Sequence, residues 1–451
     1  MNFTAPSYFL FLPLTVLLHW LLPHKARWIL LLLASWLFYF LWDPAAGGLL
    51  VLTTLVTWGA GLGTAASEND AAKRLWTFLG VFFPLAALGV FKYAGFFASA
   101  AGMTLPMKIL LPVGISFYTF QGLSYVLDVY RGRIRAEKHF GHYALFVAFF
   151  PQVVAGPIER ASGLLPQLRQ ERVFRKELLS EGAWLLLCGY FKKLVIADLL
   201  APFSDPVFAD PAGAAGPSVL LAAVTFGIRI LCDFSGYTDI ARGSALLLGI
   251  RLSENFDRPY AAASIRDFWR RWHKTLTSWF TDYVYIPLGG NRKGVTRRIL
   301  NVLAVFLLSG LWHGAAWHFV LWGAVHGILF SLEILFRKEE RGGGRASRVL
   351  TFLAVSLSWI LFRAETVRDA FRLYSGLFTG WNTLPVRGSG ALLLLFLTAA
   401  FVFLERVPPY REIRDRKMIP PAVFFLLLAA VLAVLVLSGS GTENAFIYFR
   451  F

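Results

Sequence analysis

Long apolar stretches follow one another along nearly the whole chain, and they restrict its fold more than any other feature. A helix that crosses the hydrocarbon core of a bilayer needs about 20 mostly apolar residues. The first such stretch is Phe3–Leu22 and the last is Ala422–Leu437. The sequence therefore predicts an all-α polytopic membrane protein with about 11–13 transmembrane helices, joined by re-entrant or interfacial helices.

The composition excludes the main alternatives to a membrane protein. Of the 451 residues, 57% are apolar and 16% are charged, whereas soluble domains are about 45–50% apolar and about 25% charged. A compact soluble fold lacks the interior to bury so much apolar surface, and disorder requires the opposite composition. The only two cysteines, Cys188 and Cys232, lie in apolar surroundings and do not form a disulfide framework.

The net charge of +17 indicates cytoplasmic loops rather than a nucleic-acid partner, so the predicted surroundings are a lipid bilayer. The loop with Lys25 and Arg27 is basic, the loop Asp43–Ala45 is not, and the loop with Lys73 and Arg74 is basic again. This alternation predicts an N-terminus outside the cell. Because no basic residue precedes Lys25, we expect the first helix to be kept rather than cleaved as a signal peptide.

Two apolar stretches are interrupted by Pro, Gly or polar residues, namely Tyr143–Pro157 and Gly236–Ile250. We predict that both are re-entrant or interfacial, because broken backbone at membrane depth must be covered by protein. The Gly-rich joint Arg341–Arg345 divides the single membrane domain, residues 1–451, into a motif-bearing part and a C-terminal scaffold. These parts are residues 1–340 and 346–451.

His313 is the most unusual polar residue. Its nearest flanking charges are Arg298 and Glu333, and an ionisable group deep in a membrane segment is a functional candidate. On a continuous helix, His318 and His326 share a face that His313 does not, unless the Gly-rich part bends. A structural histidine bonded to a neighbouring helix is the alternative, and the spacing predicts no metal site.

Arg266–Lys274 combines aromatic and basic residues and ends in His273-Lys274. One interpretation is an amphipathic interfacial helix with Trp and Arg at the headgroups. The other is a cationic gate in which arginines hold an anionic ligand. Pro287–Arg292 is a Gly-rich turn that lacks the Lys and Ser/Thr of a phosphate-binding loop.

Asp233–Asp239 places two carboxylates and three hydroxyls where a membrane helix is normally apolar. Such a cluster indicates either a wet cavity or a structural network that includes Arg242. From the residues alone, two function classes compete. One is an intramembrane transferase with a buried histidine as base, and the other is a transporter that relays protons.

Six motifs occur in an order that resembles the membrane-bound O-acyltransferase family, and most closely its branch typified by the alginate O-acetylation membrane protein. The motifs are Leu111–Phe117, Phe149–Gln152 with Gly156–Ile158, Asp233–Ala241, Phe268–His273, Tyr285–Arg292 and Gly310–Gly314.

The resemblance implies a helical fold around a tunnel that joins the two sides of a bacterial inner membrane. It implies transfer of acetyl groups from a cytoplasmic thioester, acetyl-CoA, which acts as a substrate and not as a bound cofactor. The acceptors would be hydroxyls of an exported polysaccharide, reached through a periplasmic acetyltransferase partner. The related branch that exports D-alanine for cell-wall polymers is the alternative.

The same resemblance assigns roles to individual residues. His313 matches the catalytic histidine of the family and His273 matches a second required histidine. The predicted donor site comprises Arg270, Arg271, Lys274 and Asn291, and the predicted polar tunnel lining comprises Ser235, Tyr237, Asp239 and Trp312.

The predicted orientation is testable by labelling. A membrane-impermeant maleimide should react from outside the cell with Asp43→Cys but with Lys73→Cys only after the membrane is opened, because basic loops stay in the cytoplasm. Labelling of both variants from the same side would contradict the topology.

Overall fold

The computed structural model describes residues 1–103, 110–154, 156–336, 344–382, 386, 388–406, 428, 429, 431 and 447. Every regular element in these ranges is helical, as the sequence predicts. The predicted span Ala422–Leu437 lies, except for three residues, outside the described part, and so does most of the joint Arg341–Arg345.

The chain divides into two compact units. Unit 1 comprises residues 1–186 and 237–253, and unit 2 comprises residues 187–236 and 254–451. The predicted division of a single domain into residues 1–340 and 346–451, at the Gly-rich joint, stays a prediction. Two helices contribute residues to both units, namely α9 (Lys176–Tyr190) and α11 (Gly216–Leu247).

Unit 1 consists of the N-terminal helices together with the last part of α11. In it, α3 packs against both α4 and α6, and α2 packs against α7. The helices are α1 (Pro6–Leu21), α2 (His24–Phe40), α3 (Pro44–Ala66), α4 (Asp70–Leu88), α5 (Ala94–Ala100), α6 (Ile115–Tyr130), α7 (Phe140–Ala148) and α8 (Ala161–Arg169).

Unit 2 is built around a close pair of helices, α14 and α15, with α16 packed on α15. Its helices are α10 (Asp198–Ala209), α12 (Ile265–Arg271), α13 (Lys274–Phe280), α14 (Gly294–His313), α15 (Trp317–Phe336), α16 (Arg345–Arg363), α17 (Val367–Gly376) and α18 (Ser389–Arg406). Two π-helical segments, Phe191–Ala197 and Thr281–Tyr285, interrupt the α-helices.

Six helices of the described part are long and apolar enough to cross a membrane, so the chain is a multi-pass membrane protein. They are Pro44–Ala66, Asp70–Ala100, Gly216–Leu247, Gly294–His313, Trp317–Phe336 and Arg345–Arg363, and two shorter apolar helices are Pro6–Leu21 and Ser389–Glu405.

The prediction that Gly236–Ile250 is a broken, re-entrant stretch was wrong. This stretch continues α11, which runs for 32 residues. Its glycines serve close packing instead of a break, because a Cβ on Gly243 would lie 2.7 Å from the carbonyl oxygen of Gly182. Polar side chains here find partners inside the protein, as the 2.7 Å hydrogen bond between the Ser244 and Tyr8 hydroxyls shows. Tyr143–Pro157, by contrast, is broken as predicted, into α7 and a run of turns.

The close pair α14 and α15 depends on two glycines that face each other's helix. A Cβ on Gly310 would overlap the carbonyl oxygen of Phe319, and a Cβ on Gly323 would overlap that of Phe306. The two backbones therefore touch directly, and this contact fixes the C-terminal end of α14, where His313 lies.

Gly323→Ala should lower the unfolding temperature, because forcing a methyl group into a filled contact typically costs about 1–3 kcal/mol. Gly59→Ala is the matched control, since a Cβ there meets nothing within 4 Å and alanine is the better helix former. Thermal unfolding in detergent measures both, and equal unfolding temperatures would show that the α14–α15 contact does not require glycine.

Candidate functional site

His313 ends α14, and the chain turns through residues 314–316 before α15 begins. The Gly-rich part after His313 therefore bends, which is one of the two possibilities that the sequence left open. Gly314 has an extended backbone and a Cβ there would overlap the ring of Phe319, so this glycine permits the turn. The imidazole of His313 is only 3% exposed and packs edge-on against Trp322 and Phe362.

His273 lies in the junction between α12 and α13, with φ 42° and ψ 53°. This left-handed conformation is uncommon for residues other than glycine, and at functional sites it persists where the surrounding structure enforces it. The side chain is fully buried, and its ring meets that of Phe234 edge-on at 4.8 Å between centroids. The backbone and packing together hold this imidazole in one orientation.

A buried asparagine that the sequence analysis did not single out clasps the residues after His273. The carbonyl of Asn255 accepts a hydrogen bond from the Lys274 amide at 2.8 Å, and its side-chain oxygen accepts one from the Thr275 hydroxyl at 2.6 Å. Asn255 is 1% exposed. Nothing in its sequence context distinguishes it from a loop asparagine, because its role depends on a contact 20 residues along the chain.

Trp312 brings the two predicted catalytic histidines together. Its ring centroid lies 6.2 Å from that of His273 and 5.0 Å from that of His313. Both imidazoles and the indole belong to unit 2. Residues that are far apart in the sequence thus form one buried aromatic cluster with two potential proton acceptors.

The protonation of His273 follows from its burial. Desolvation disfavours the imidazolium form and lowers the pKa of His273 to about 3. At neutral pH this residue is therefore uncharged and has an unprotonated ring nitrogen. It does not add to the positive charge of Arg266–Lys274.

The basic residues of the predicted donor site have different surroundings. Arg271 donates to the Asp267 carboxylate at 2.8 Å, Lys274 lies 3.8 Å from Glu254, and Arg270 is exposed. Asn291 is also exposed, on the Gly-rich turn. Asn301, a residue missed by the sequence analysis, holds this turn by donating to the carbonyl of Gly290 at 3.0 Å.

The polar cluster of α11 shows structural pairing. Asp233 forms a 2.8 Å ion pair with Lys193, and Asp239 lies 3.4 Å from Arg242 as the network interpretation predicts. Ser235 and Tyr237 are buried. The assignment of Ser235, Tyr237 and Asp239 to a tunnel lining stays a prediction.

His318 and His326 have hydrogen bonds that indicate structural roles. The Trp269 indole donates to Nδ1 of His326 at 3.3 Å, which leaves Nε2 to donate to the Ser358 hydroxyl at 2.9 Å. His318 donates from Nδ1 to the Leu361 carbonyl at 3.0 Å. In the part of the chain described, no three His, Cys, Asp or Glu residues are grouped to hold a metal ion.

The left-handed backbone of His273 predicts a difference between two variants that both lack the imidazole. Asparagine tolerates this conformation better than alanine does. His273→Asn should therefore unfold at a higher temperature than His273→Ala, because its free energy of unfolding should be larger by about 1 kcal/mol. Thermal unfolding measures the difference. If the alanine variant is at least as stable as the asparagine variant, the strain at this position is not real.

Comparison with known proteins adds to this geometry. Residues 134–339 match the sequence model of MBOAT, the membrane-bound O-acyltransferase family. The chain is 36% identical to "Probable alginate O-acetylase AlgI" of Pseudomonas putida, over 98% of both chains. It is 40% identical to the protein of the same name from Azotobacter vinelandii, over 82% of this chain and 76% of that one. It is 34% identical to "Peptidoglycan O-acetyltransferase" of Helicobacter pylori, over 83% and 79%.

Proposed function

The chain belongs to the membrane-bound O-acyltransferase family and is an O-acyltransferase, and from this premise we propose that it moves acetyl groups from a cytoplasmic thioester to an exported polysaccharide. The proposed donor is acetyl-CoA, the proposed location is a bacterial inner membrane, and a periplasmic acetyltransferase is the proposed partner. Relatives that are 34–40% identical to this chain carry the names alginate O-acetylase and peptidoglycan O-acetyltransferase. These names support acetyl rather than D-alanyl as the group transferred.

One observation carries the assignment of the site. His273 and His313 are both buried and both contact Trp312. Acyl transfer to a hydroxyl needs a proton acceptor that is uncharged at neutral pH and shielded from water, because water would hydrolyse the activated acyl group. A buried pair of imidazoles on one indole supports this chemistry.

The proposed reaction uses His313 as the base. Its unprotonated nitrogen removes the proton of the acceptor hydroxyl while the oxygen attacks the thioester carbonyl. The tetrahedral intermediate then expels the thiolate, which takes the proton back from His313, so that an ester and a free thiol result. A positioned histidine typically contributes about 10²–10⁴-fold to such a step. His273, whose ring also lies beside Trp312, would orient the reacting groups.

The donor end of the proposed site lies on α12. Arg270 is exposed, so its guanidinium has access to a phosphate group, for which its fork of donors is suited. Arg271, which forms an ion pair with Asp267, is the second arginine of the proposed donor site.

His313→Ala should abolish acetyl transfer and leave the protein folded. The assay supplies purified protein with acetyl-labelled coenzyme A, an acceptor glycan and the periplasmic partner, and it measures labelled ester. His318→Ala is the matched control, because it removes a buried imidazole of the neighbouring helix whose hydrogen bond in the described part of the chain is to the Leu361 carbonyl. We expect this variant to keep most of the activity.

The same assay separates the competing functions. Full ester formation by His313→Ala would remove this residue from the mechanism. Ester formed only from a D-alanyl thioester would identify the alternative acyl group. If the wild type forms no ester but moves a solute down a proton gradient, the chain is a transporter of this fold.

Arg270→Gln should raise the KM for the acetyl donor several-fold with little change in the unfolding temperature, because an exposed charge contributes little to stability. Arg135→Gln is the matched control, an exposed arginine of unit 1. Equal KM values for the two variants would favour the interfacial-helix interpretation of α12.

A further inference from the structure

Unit 1 contains a cavity of about 280 Å³ whose described lining includes neither His273 nor His313. It lies where the turn between α1 and α2 meets the C-terminal end of α8 and the residues that follow α11. Its walls include Trp28 and Leu31 on one side and Leu248 and Ile250 on another. We propose that this cavity binds a phosphate group.

The charge of the cavity supports an anionic ligand. Four of its lining residues are Lys25, Arg27, Arg169 and Arg172, and none of the described residues in the lining is acidic. Arg169 pairs with the carboxylate of Glu137 outside the lining. Arg27 donates to the carbonyls of Leu22 and Arg172, which orients its guanidinium without neutralising it. Positive charge therefore exceeds negative charge around this space.

A buried histidine provides the second, independent observation. His19 lines the cavity and is 3% exposed. The Leu248 backbone approaches this imidazole, but within the described part of the chain neither ring nitrogen makes a hydrogen bond of normal length and angle. An unsatisfied buried polar group destabilises a fold, so its persistence beside a cavity indicates a ligand atom that completes it. A phosphate oxygen accepts the N–H of a neutral imidazole.

The start of α2 adds backbone donors to the same place. The helix begins at His24, which lines the cavity, and no side-chain hydrogen bond caps its N-terminus. The first amides of a helix lack partners within the helix and carry partial positive charge, which makes this end a favourable position for phosphate. Here it coincides with the cationic lining and the unsatisfied imidazole.

Two sources supply a phosphate group in this setting. One is the headgroup of an anionic phospholipid, for which the neighbouring Trp20 and Trp28 would provide interfacial contacts. The other is a soluble phosphate. The chemistry recognised by the cavity is the same, and the experiment distinguishes the sources.

The test measures the unfolding temperature of the full-length protein in a neutral detergent. One arm compares added phosphatidylglycerol with added phosphatidylcholine. The other arm compares inorganic phosphate with chloride at equal ionic strength. We expect one of the two phosphate ligands to stabilise the wild type. A shift with phosphatidylglycerol alone identifies the lipid as the source, and a shift with inorganic phosphate identifies a soluble ligand.

Two variants connect the shift to the cavity. Lys25 is exposed, so Lys25→Gln should fold normally. This variant should bind the phosphate about tenfold more weakly, because it loses a charge-assisted contact. His19→Leu should be at least as stable as the wild type without ligand, because it removes the unsatisfied nitrogens, and it should gain less from the ligand.

Arg135→Gln is the control for general surface charge, since it removes an exposed arginine that is not part of the lining. The proposal is overturned if neither ligand shifts the wild type. It is also overturned if Arg135→Gln loses as much of the shift as Lys25→Gln does, because attraction to the overall positive charge would then suffice. None of these outcomes depends on acyl transfer.

Discussion

A charge inside a membrane protein survives only where another part of the same protein neutralises it, and Lys193 shows how this constraint organises unit 2. Its ammonium group lies 2.8 Å from the carboxylates of both Asp198 and Asp233, and it is almost completely buried. Asp233 also accepts the Ile447 amide at 2.8 Å. One cation thus connects the π-helical segment Phe191–Ala197, the start of α10, the middle of α11 and a residue near the C-terminus. Removing Lys193 alone would leave the carboxylates of Asp198 and Asp233 without this cation, which is more costly than losing all three charges together.

Hydrophobic length alone was sufficient to predict most of the helices. The apolar stretches Gly48–Ala65, His318–Phe336 and Val349–Phe362 predict spans, and the helices Pro44–Ala66, Trp317–Phe336 and Arg345–Arg363 agree with them to within a few residues. The prediction for Gly236–Ile250 was wrong because glycine and polar residues in an apolar stretch allow two interpretations. They break a helix that faces lipid, but they allow close packing in a helix that faces protein, and α11 is mostly buried. The backbone of Gly182, which lies close to Gly243 in space, shows that close packing is the correct interpretation, and this contact is not visible in the sequence.

The residue types of the candidate site could be predicted from the sequence, but the contacts that position these residues could not. The sequence indicates His313 as an ionisable residue among apolar neighbours and His273 as part of a basic, aromatic stretch, and the resemblance assigns a role to both. The structure places both against Trp312. The left-handed backbone at His273, the Asn255 clasp and the contact of Asn301 with the Gly-rich turn all depend on tertiary contacts. A sequence shows that an asparagine is present, but it does not show which amide or carbonyl the asparagine will meet.

The hydrogen bonds of His326 have a fixed polarity. The indole of Trp269 can only donate, so Nδ1 of His326 must accept, Nε2 must donate, and the Ser358 hydroxyl passes its own proton to the carbonyl of Val355 at 2.7 Å. The series has a donor at one end and a carbonyl at the other, and each of its hydrogens points towards an acceptor. Nδ1 of His326 can therefore take up a proton only by giving up the hydrogen bond of the Trp269 indole. The Trp269 indole thus holds His326 in one neutral tautomer and ties α12 to α15, while the bond to Ser358 ties α15 to α16.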